Sequence, residues 1–166
     1  AQTSLQGMVT ASGASGTYLN DTEIVLMAQQ KPTATNGILS IRLQNAAGTA
    51  IPSLALSIPA GTDMYDDAVV QVAVWVAGGV AYARAKTGTT TVTASAAFGG
   101  NAVDFSASTI KVGGSAGGFN VAHVQASVQA YRAYRTFVEN LNTSGRDPAT
   151  VLDADLLRVN ARGVFS

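Results

Sequence analysis

Few residues in this chain could do chemistry, and those few are poorly placed for it. A single histidine, His123, would need an orienting carboxylate and a nucleophile to act as a general base. No sequence-local arrangement around it suggests such a set, so it reads as a surface or interface histidine. Cysteine is absent, which excludes disulfides, thiolate nucleophiles, zinc–thiolate sites and iron–sulfur clusters. In GTDMYDD, Asp63, Asp66 and Asp67 place three carboxylates within five residues. Oxygen donors of this kind hold calcium in flexible loops, which makes these three the weak metal candidates. The spacing lacks the glycine and glutamate of an EF-hand, and a solvated turn leading into the next strand is the better reading.

Other motifs point no more strongly to catalysis. No G-x-G-x-x-G opens a helix and no phosphate-binding G-x-x-x-x-G-K-[ST] occurs. GGSAGGFN (113–120) carries no Lys or Arg and reads as a connector. TTTVTAS (89–95) could present hydroxyls to a ligand, although threonine is common in strands for its β-branching alone. NTS at 142–144 matches the N-glycosylation acceptor pattern. We therefore expect no cofactor and no enzymatic activity.

The most informative stretch is QVAVWVAGGVAYARAK (71–86), two apolar runs joined by Gly78-Gly79. A two-residue turn sets Ala77 opposite Val80, Trp75 opposite Tyr82, Ala73 opposite Arg84 and Gln71 opposite Lys86. One face then holds Val72, Val74, Val76, Ala81, Ala83 and Ala85; it is wholly apolar and must be core. Three small alanines on it call for a bulky covering element, and a helix suits that role. The other face carries an aromatic cross-strand pair, worth ~0.2–1 kcal/mol over Ala–Ala, followed by the short basic edge of Arg84 and Lys86. Trp75, Tyr82, Arg84 and Lys86 are the candidate contact residues for a second subunit or for nucleic acid. Arg42 joins them if its strand lies alongside.

The elements that must position these residues follow from periodicity. Strands are expected at Gln6–Ala11, Thr17–Asn20, Glu23–Gln29, Ile38–Gln44, Ser53–Ile58, Val69–Ala77, Val80–Lys86, Thr90–Ala97 and Ala102–Val112, separated by Gly, Asn, Asp and Pro clusters. Alternation is clearest in ILSIRLQ and SLALSI. About eight short strands at this spacing imply an antiparallel sheet or sandwich, as in jelly rolls. A Gly-rich linker (113–119) divides this part (1–112) from a helical C-terminal part (120–166) of the same domain. There, Val121, Val124, Val128, Tyr131, Val138 and Leu141 form one helical stripe capped by Asn120, with Arg135 and Glu139 at i, i+4. Residues 121–130 also alternate as a strand would, and length favours the helix. A second helix opens with Asp147 as N-cap and Pro148, and stops before Gly163. Asp153 and Asp155 early, and Arg158 and Arg162 late, suit its dipole. The fold class is thus mainly β with two C-terminal helices (α+β).

Composition narrows the function classes. The 166 residues suffice for one domain with a core, and ten acidic residues balance ten basic ones. Net neutrality disfavours strong non-specific nucleic-acid binding and favours association. Only 12% of residues are charged and 47% are hydrophobic, so the chain reads as folded. No apolar run is long enough to span a membrane, and AQTSLQG lacks the features of a signal peptide.

Two resemblances bear on function. IPAGTDMYDDAVVQVAVWV (58–76) resembles the Pro-Ala-Gly…Tyr…Asp…Val-x-Val hairpin of fimbrial subunits and other Ig-like sandwiches. The overall layout, cysteine-free antiparallel strands followed by two helices, is similar to coat proteins of small icosahedral phages. In the RNA-phage family, helices pack across a partner's sheet and the opposite face looks toward the genome. That likeness implies separate roles for the alanine face and the Arg84/Lys86 face; a jelly-roll shell protein suits the neutral charge better.

The function expected is that of a self-assembling structural protein, a phage coat subunit located in the virion. Its partners would be itself, as a dimer building a closed shell, and genomic RNA. The alternatives are a pilus or adhesion subunit of sandwich fold and a carbohydrate- or calcium-binding module.

Overall fold

The computed structural model describes residues 5–12, 23–30, 36–43, 54–59, 69–99, 109–112 and 135–162. Antiparallel β-sheet and a C-terminal helix make up the described part, an α+β arrangement. The strands are β1 (Leu5–Ser12), β2 (Glu23–Gln30), β3 (Asn36–Leu43), β4 (Leu54–Pro59), β5 (Gln71–Ala77), β6 (Val80–Lys86), β7 (Thr91–Ala97) and β8 (Thr109–Val112). They form one sheet in the order β4-β3-β2-β1-β8 and another in the order β5-β6-β7. The expected strand at Thr17–Asn20, the linker 113–119 and the segment 121–130 lie outside the described residues, as do His123, Asp63, Asp66 and Asp67.

The β5–β6 hairpin has the register that its sequence implies. Trp75 faces Tyr82, Ala73 faces Arg84 and Gln71 faces Lys86. Gly78 and Gly79 have φ of 57° and 74°; two positive values in succession are the backbone of the tight turn whose twist matches the strands. β6 continues into β7 through Thr87, whose hydroxyl accepts from the backbone N–H of Thr89 and Thr90. This local satisfaction lets a threonine with only 1% exposure sit in the turn without an unpaired polar atom.

Among the described residues, the core lies between β4 and the β5-β6-β7 sheet. Leu54, Leu56 and Ile58 of β4 are buried, while the alternating Ala55 and Ser57 are exposed. They pack with Ala81, Ala83 and Ala85 of β6 and with Phe98, flanked by Val72, Val74, Val76, Val92, Ala94 and Ala96. Among the described residues, the element packed on the alanine face is the strand β4; residues 120–134 of the expected helix lie outside them. Small alanines leave room for the three branched side chains of β4 to approach.

The C-terminal part also departs from expectation. Residues 135–140 are neither helix nor strand, and the helix expected to run through Leu141 is absent there. Instead Asn140 caps a single turn, α1 (Leu141–Ser144), by accepting from the N–H of Asn142 and Thr143. An asparagine that bonds the backbone ahead of it starts a helix rather than continuing one. The expected Arg135–Glu139 pair is replaced by Arg135–Asp155 and Glu139–Arg146. α2 (Pro148–Asn160) starts as expected, with the Asp147 carboxylate accepting from Thr150 N–H at 2.8 Å and Pro148 in the first turn. Asp153 and Asp155 fall beyond that first turn, so they serve ion pairs and not the helix dipole.

Replacing Leu56, which has no exposed surface, with alanine should cost ~2–5 kcal/mol of unfolding free energy. Ser57→Ala on the exposed side of the same strand should stay within about 0.5 kcal/mol. Urea titrations of both variants check this, and equal costs would contradict β4 as the cover of the core.

Candidate functional site

The outer face of the β5-β6-β7 sheet carries four cross-strand rows. They run Ala77–Val80–Ala97, Trp75–Tyr82–Ser95, Ala73–Arg84–Thr93 and Gln71–Lys86–Thr91. Strand alternation alone puts these twelve residues on one side, because successive side chains point to opposite faces. On β7, Thr91, Thr93, Ser95 and Ala97 are exposed. Trp75 and Tyr82 are half-buried and stacked, with ring centroids 5.3 Å apart and planes 13° from parallel. A parallel, near-contact pair of this kind shields the sheet while keeping its ring edges available.

The basic end of the face is covered. Arg84 is buried, with its Nη1 2.9 Å from Asp153 Oδ1 and its Nη2 donating to Gln71 Oε1 at 2.8 Å. Lys86 Nζ donates to the same Asp153 oxygen at 2.8 Å. The Gln71 amide, which holds Arg84 by its oxygen, donates through Nε2 to the Leu152 carbonyl at 2.8 Å. Three side chains on two strands thus grip two successive residues of α2. The second acidic residue, Asp155, turns elsewhere; its Oδ1 lies 2.8 Å from Arg135 Nε, near enough for charge attraction but outside hydrogen-bond alignment. Arg135 in turn rests over the Phe137 ring, 5.5 Å from its centroid.

The charges perturb one another in one direction. The hydrogen bond from Lys86 does most to hold the Asp153 carboxyl below its ordinary 3.8; burial opposes it, and the charges of Arg84 and Lys86 add to the lowering. The Thr150 hydroxyl and N–H likewise lower Asp147, and Arg146 lowers Glu139. Each carboxylate is favoured as the anion in the folded chain.

Of the residues singled out from the sequence, the fold brings Trp75, Tyr82, Arg84 and Lys86 to one face. Arg42 is not among them: β3 belongs to the other sheet, where Arg42 is in register with Leu26. Two participants, Gln71 and Asp153, carry no sequence signal as partners, since they meet across 81 and 67 positions. No group of three His, Cys, Asp or Glu gathers into a metal site among the described residues. No helix among them is long and apolar enough to cross a membrane.

Comparison with known proteins finds no matching family model, no similar curated protein and no similar solved structure. The functional reading rests on the chain's own geometry.

Because the folded pKa of Asp153 is depressed, its pairing stabilises the fold above the unfolded value and is lost as pH falls through the folded one. Asp147 and Glu139 act in the same sense. Thermal unfolding should therefore show stability declining as pH drops below about 4, with a shallower decline in Asp153→Asn. Asp153→Ala, which strips a buried guanidinium of its charge partner, should cost ~1–3 kcal/mol at neutral pH. An unchanged acid limb in Asp153→Asn would show that the pair contributes nothing.

Proposed function

We propose that this chain is a non-enzymatic structural subunit that self-assembles, as the coat protein of a phage virion does, with a homodimer as its building block. The finer architecture that goes with this reading is a sandwich of about eight antiparallel strands followed by a helical C-terminal part. One observation carries it. In the hairpin and in residues 135–162 several charges pair inside the chain, Arg84 and Lys86 with Asp153, Arg135 with Asp155 and Arg146 with Glu139, while Arg158 and Arg162 stay exposed. Large apolar side chains of the same region face solvent, with Phe137 40%, Val138 73% and Leu157 71% exposed. A neutral surface with unshielded apolar groups associates, because little repulsion opposes burial of that area.

In this reading the Trp75–Tyr82 stack and the β7 hydroxyls beside it meet another subunit. Genomic RNA is the second partner to test, and the internal pairing of Arg84 and Lys86 reduces the charge this face offers to phosphates.

Light scattering on the purified chain, with and without added RNA, should give masses that are multiples of 16.9 kDa. Val138→Asp and Leu157→Asp should each lower the assembled fraction, with unfolding free energy changed by no more than about 0.5 kcal/mol. A strict monomer at high concentration, with no particles by electron microscopy, overturns the proposal.

A further inference from the structure

The contact between Asp153 and the hairpin has more donors than the carboxylate uses. Arg84 and Lys86 stand two apart on β6, so one face of the strand presents both, and both reach the single oxygen Oδ1. Two unit positive charges thus meet one negative charge, which leaves the cluster one positive charge in excess. Arg84 Nε, although buried, has no acceptor, and an ammonium carries three N–H groups of which Asp153 takes one. Among the described residues the other carboxylates of α2 and its cap are engaged elsewhere: Asp147 caps α2 on Thr150, and Asp155 faces Arg135.

The donors are also held in place before any ligand arrives. Arg84 is 6% exposed, and Gln71 fixes its guanidinium through Nη2. Water nevertheless reaches the meeting point, because the Asp153 side chain is 47% exposed and that of Lys86 27%. A rigid guanidinium and an ammonium converging on one point are the elements that recognise oxyanions. A tetrahedral dianion offers both the missing charge and the missing acceptors, whereas a carboxylate supplies half of the charge and one engaged oxygen.

We propose that Gln71, Arg84 and Lys86 form a binding site for a phosphate-type oxyanion, and that Asp153 of α2 occupies it in cis as a displaceable stand-in. The ligand and the α2 carboxylate compete for the same two cations. α2 is gripped here through Leu152 and Asp153, so an oxyanion that enters loosens the helix from the outer face. Affinity in the native chain is lowered by the fraction of time in which Asp153 holds the site. The proposal does not depend on self-assembly, since phosphate affinity and solution mass are separate measurements.

Inorganic phosphate is titrated calorimetrically into the full chain, into Asp153→Asn and into Asp153→Asn/Lys86→Gln, at constant ionic strength with chloride. The expected result is binding about tenfold or more tighter in Asp153→Asn than in the native chain, and lost in the double variant. A parallel titration with a short single-stranded oligonucleotide identifies the source. Competition between oligonucleotide and phosphate points to a nucleic-acid backbone; phosphate binding alone points to the free ion, and both support the site. Equal phosphate affinity in the native chain and Asp153→Asn, or binding unaffected by Lys86→Gln, overturns it. Should Asp153→Asn fail to fold, the native chain decides by thermal unfolding. Phosphate must then raise the midpoint above that in chloride of equal ionic strength, and Lys86→Gln must abolish the rise; no rise overturns the proposal.

Discussion

Gly78 and Gly79 lie in the left-handed region at φ of 57° and 74°, and the two-residue turn they form allows β5 and β6 a single register. Everything else described on this hairpin depends on that register. A slip of β6 by one residue against β5 would turn its three alanines out to solvent and bring Arg84 and Lys86 to the core side beside Val72, Val74 and Val76. With the register held, one face is wholly apolar and the other gathers the aromatic stack and both cations. A side chain at either glycine would meet no atom within 4 Å, so the constraint is backbone conformation and not space.

The apolar face determines how the sheets meet. Ala81, Ala83 and Ala85 are flat, and β4 supplies the relief with Leu54, Leu56 and Ile58. Each such side chain contributes ~1.5–3 kcal/mol when fully buried. The polar face solves a different problem. Arg84 is too large and too charged to lie buried alone on a sheet, and burial of an unpaired cation costs several kcal/mol. Asp153, Gln71 and the backbone of α2 supply what it lacks. The helix therefore docks through charge and hydrogen bonds at the end of the sheet where Gln71 and Lys86 lie.

This division separates two properties that a purely apolar dock would merge. The contact with β4 holds no titrating group, whereas the grip on α2 adds to the Gln71–Leu152 hydrogen bond one ionised carboxylate that is half open to water. The same grip offsets one of the hairpin's two positive charges and leaves, beyond it, an outer face of stacked aromatics and exposed hydroxyls. Zero net charge and the solvent-open Val138 and Leu157 are what support the self-assembly proposed above.

Much of this was legible from local pattern. Alternation in SLALSI and VAYARAK identified the buried sides of β4 and β6, the glycine pair identified the turn, and Asp147-Pro148 identified the start of α2. Each of these signals is read between residues a few positions apart, where backbone geometry leaves few choices. Residues 135–140 depart from the helical expectation although an apolar stripe continues through them, and the Asn140 side chain opens a new turn by bonding the backbone ahead of it. The partners of each face were not legible at all. The described cover of the alanines is the strand β4, Arg42 sits in the other sheet, and Asp153 answers Lys86 across 67 positions and Arg84 with it. The amino-acid sequence by itself determined which residues share a face; the tertiary structure alone decided what that face meets. Side-chain period is a property of the local chain, whereas the choice of partner is settled by the global balance of volume and charge.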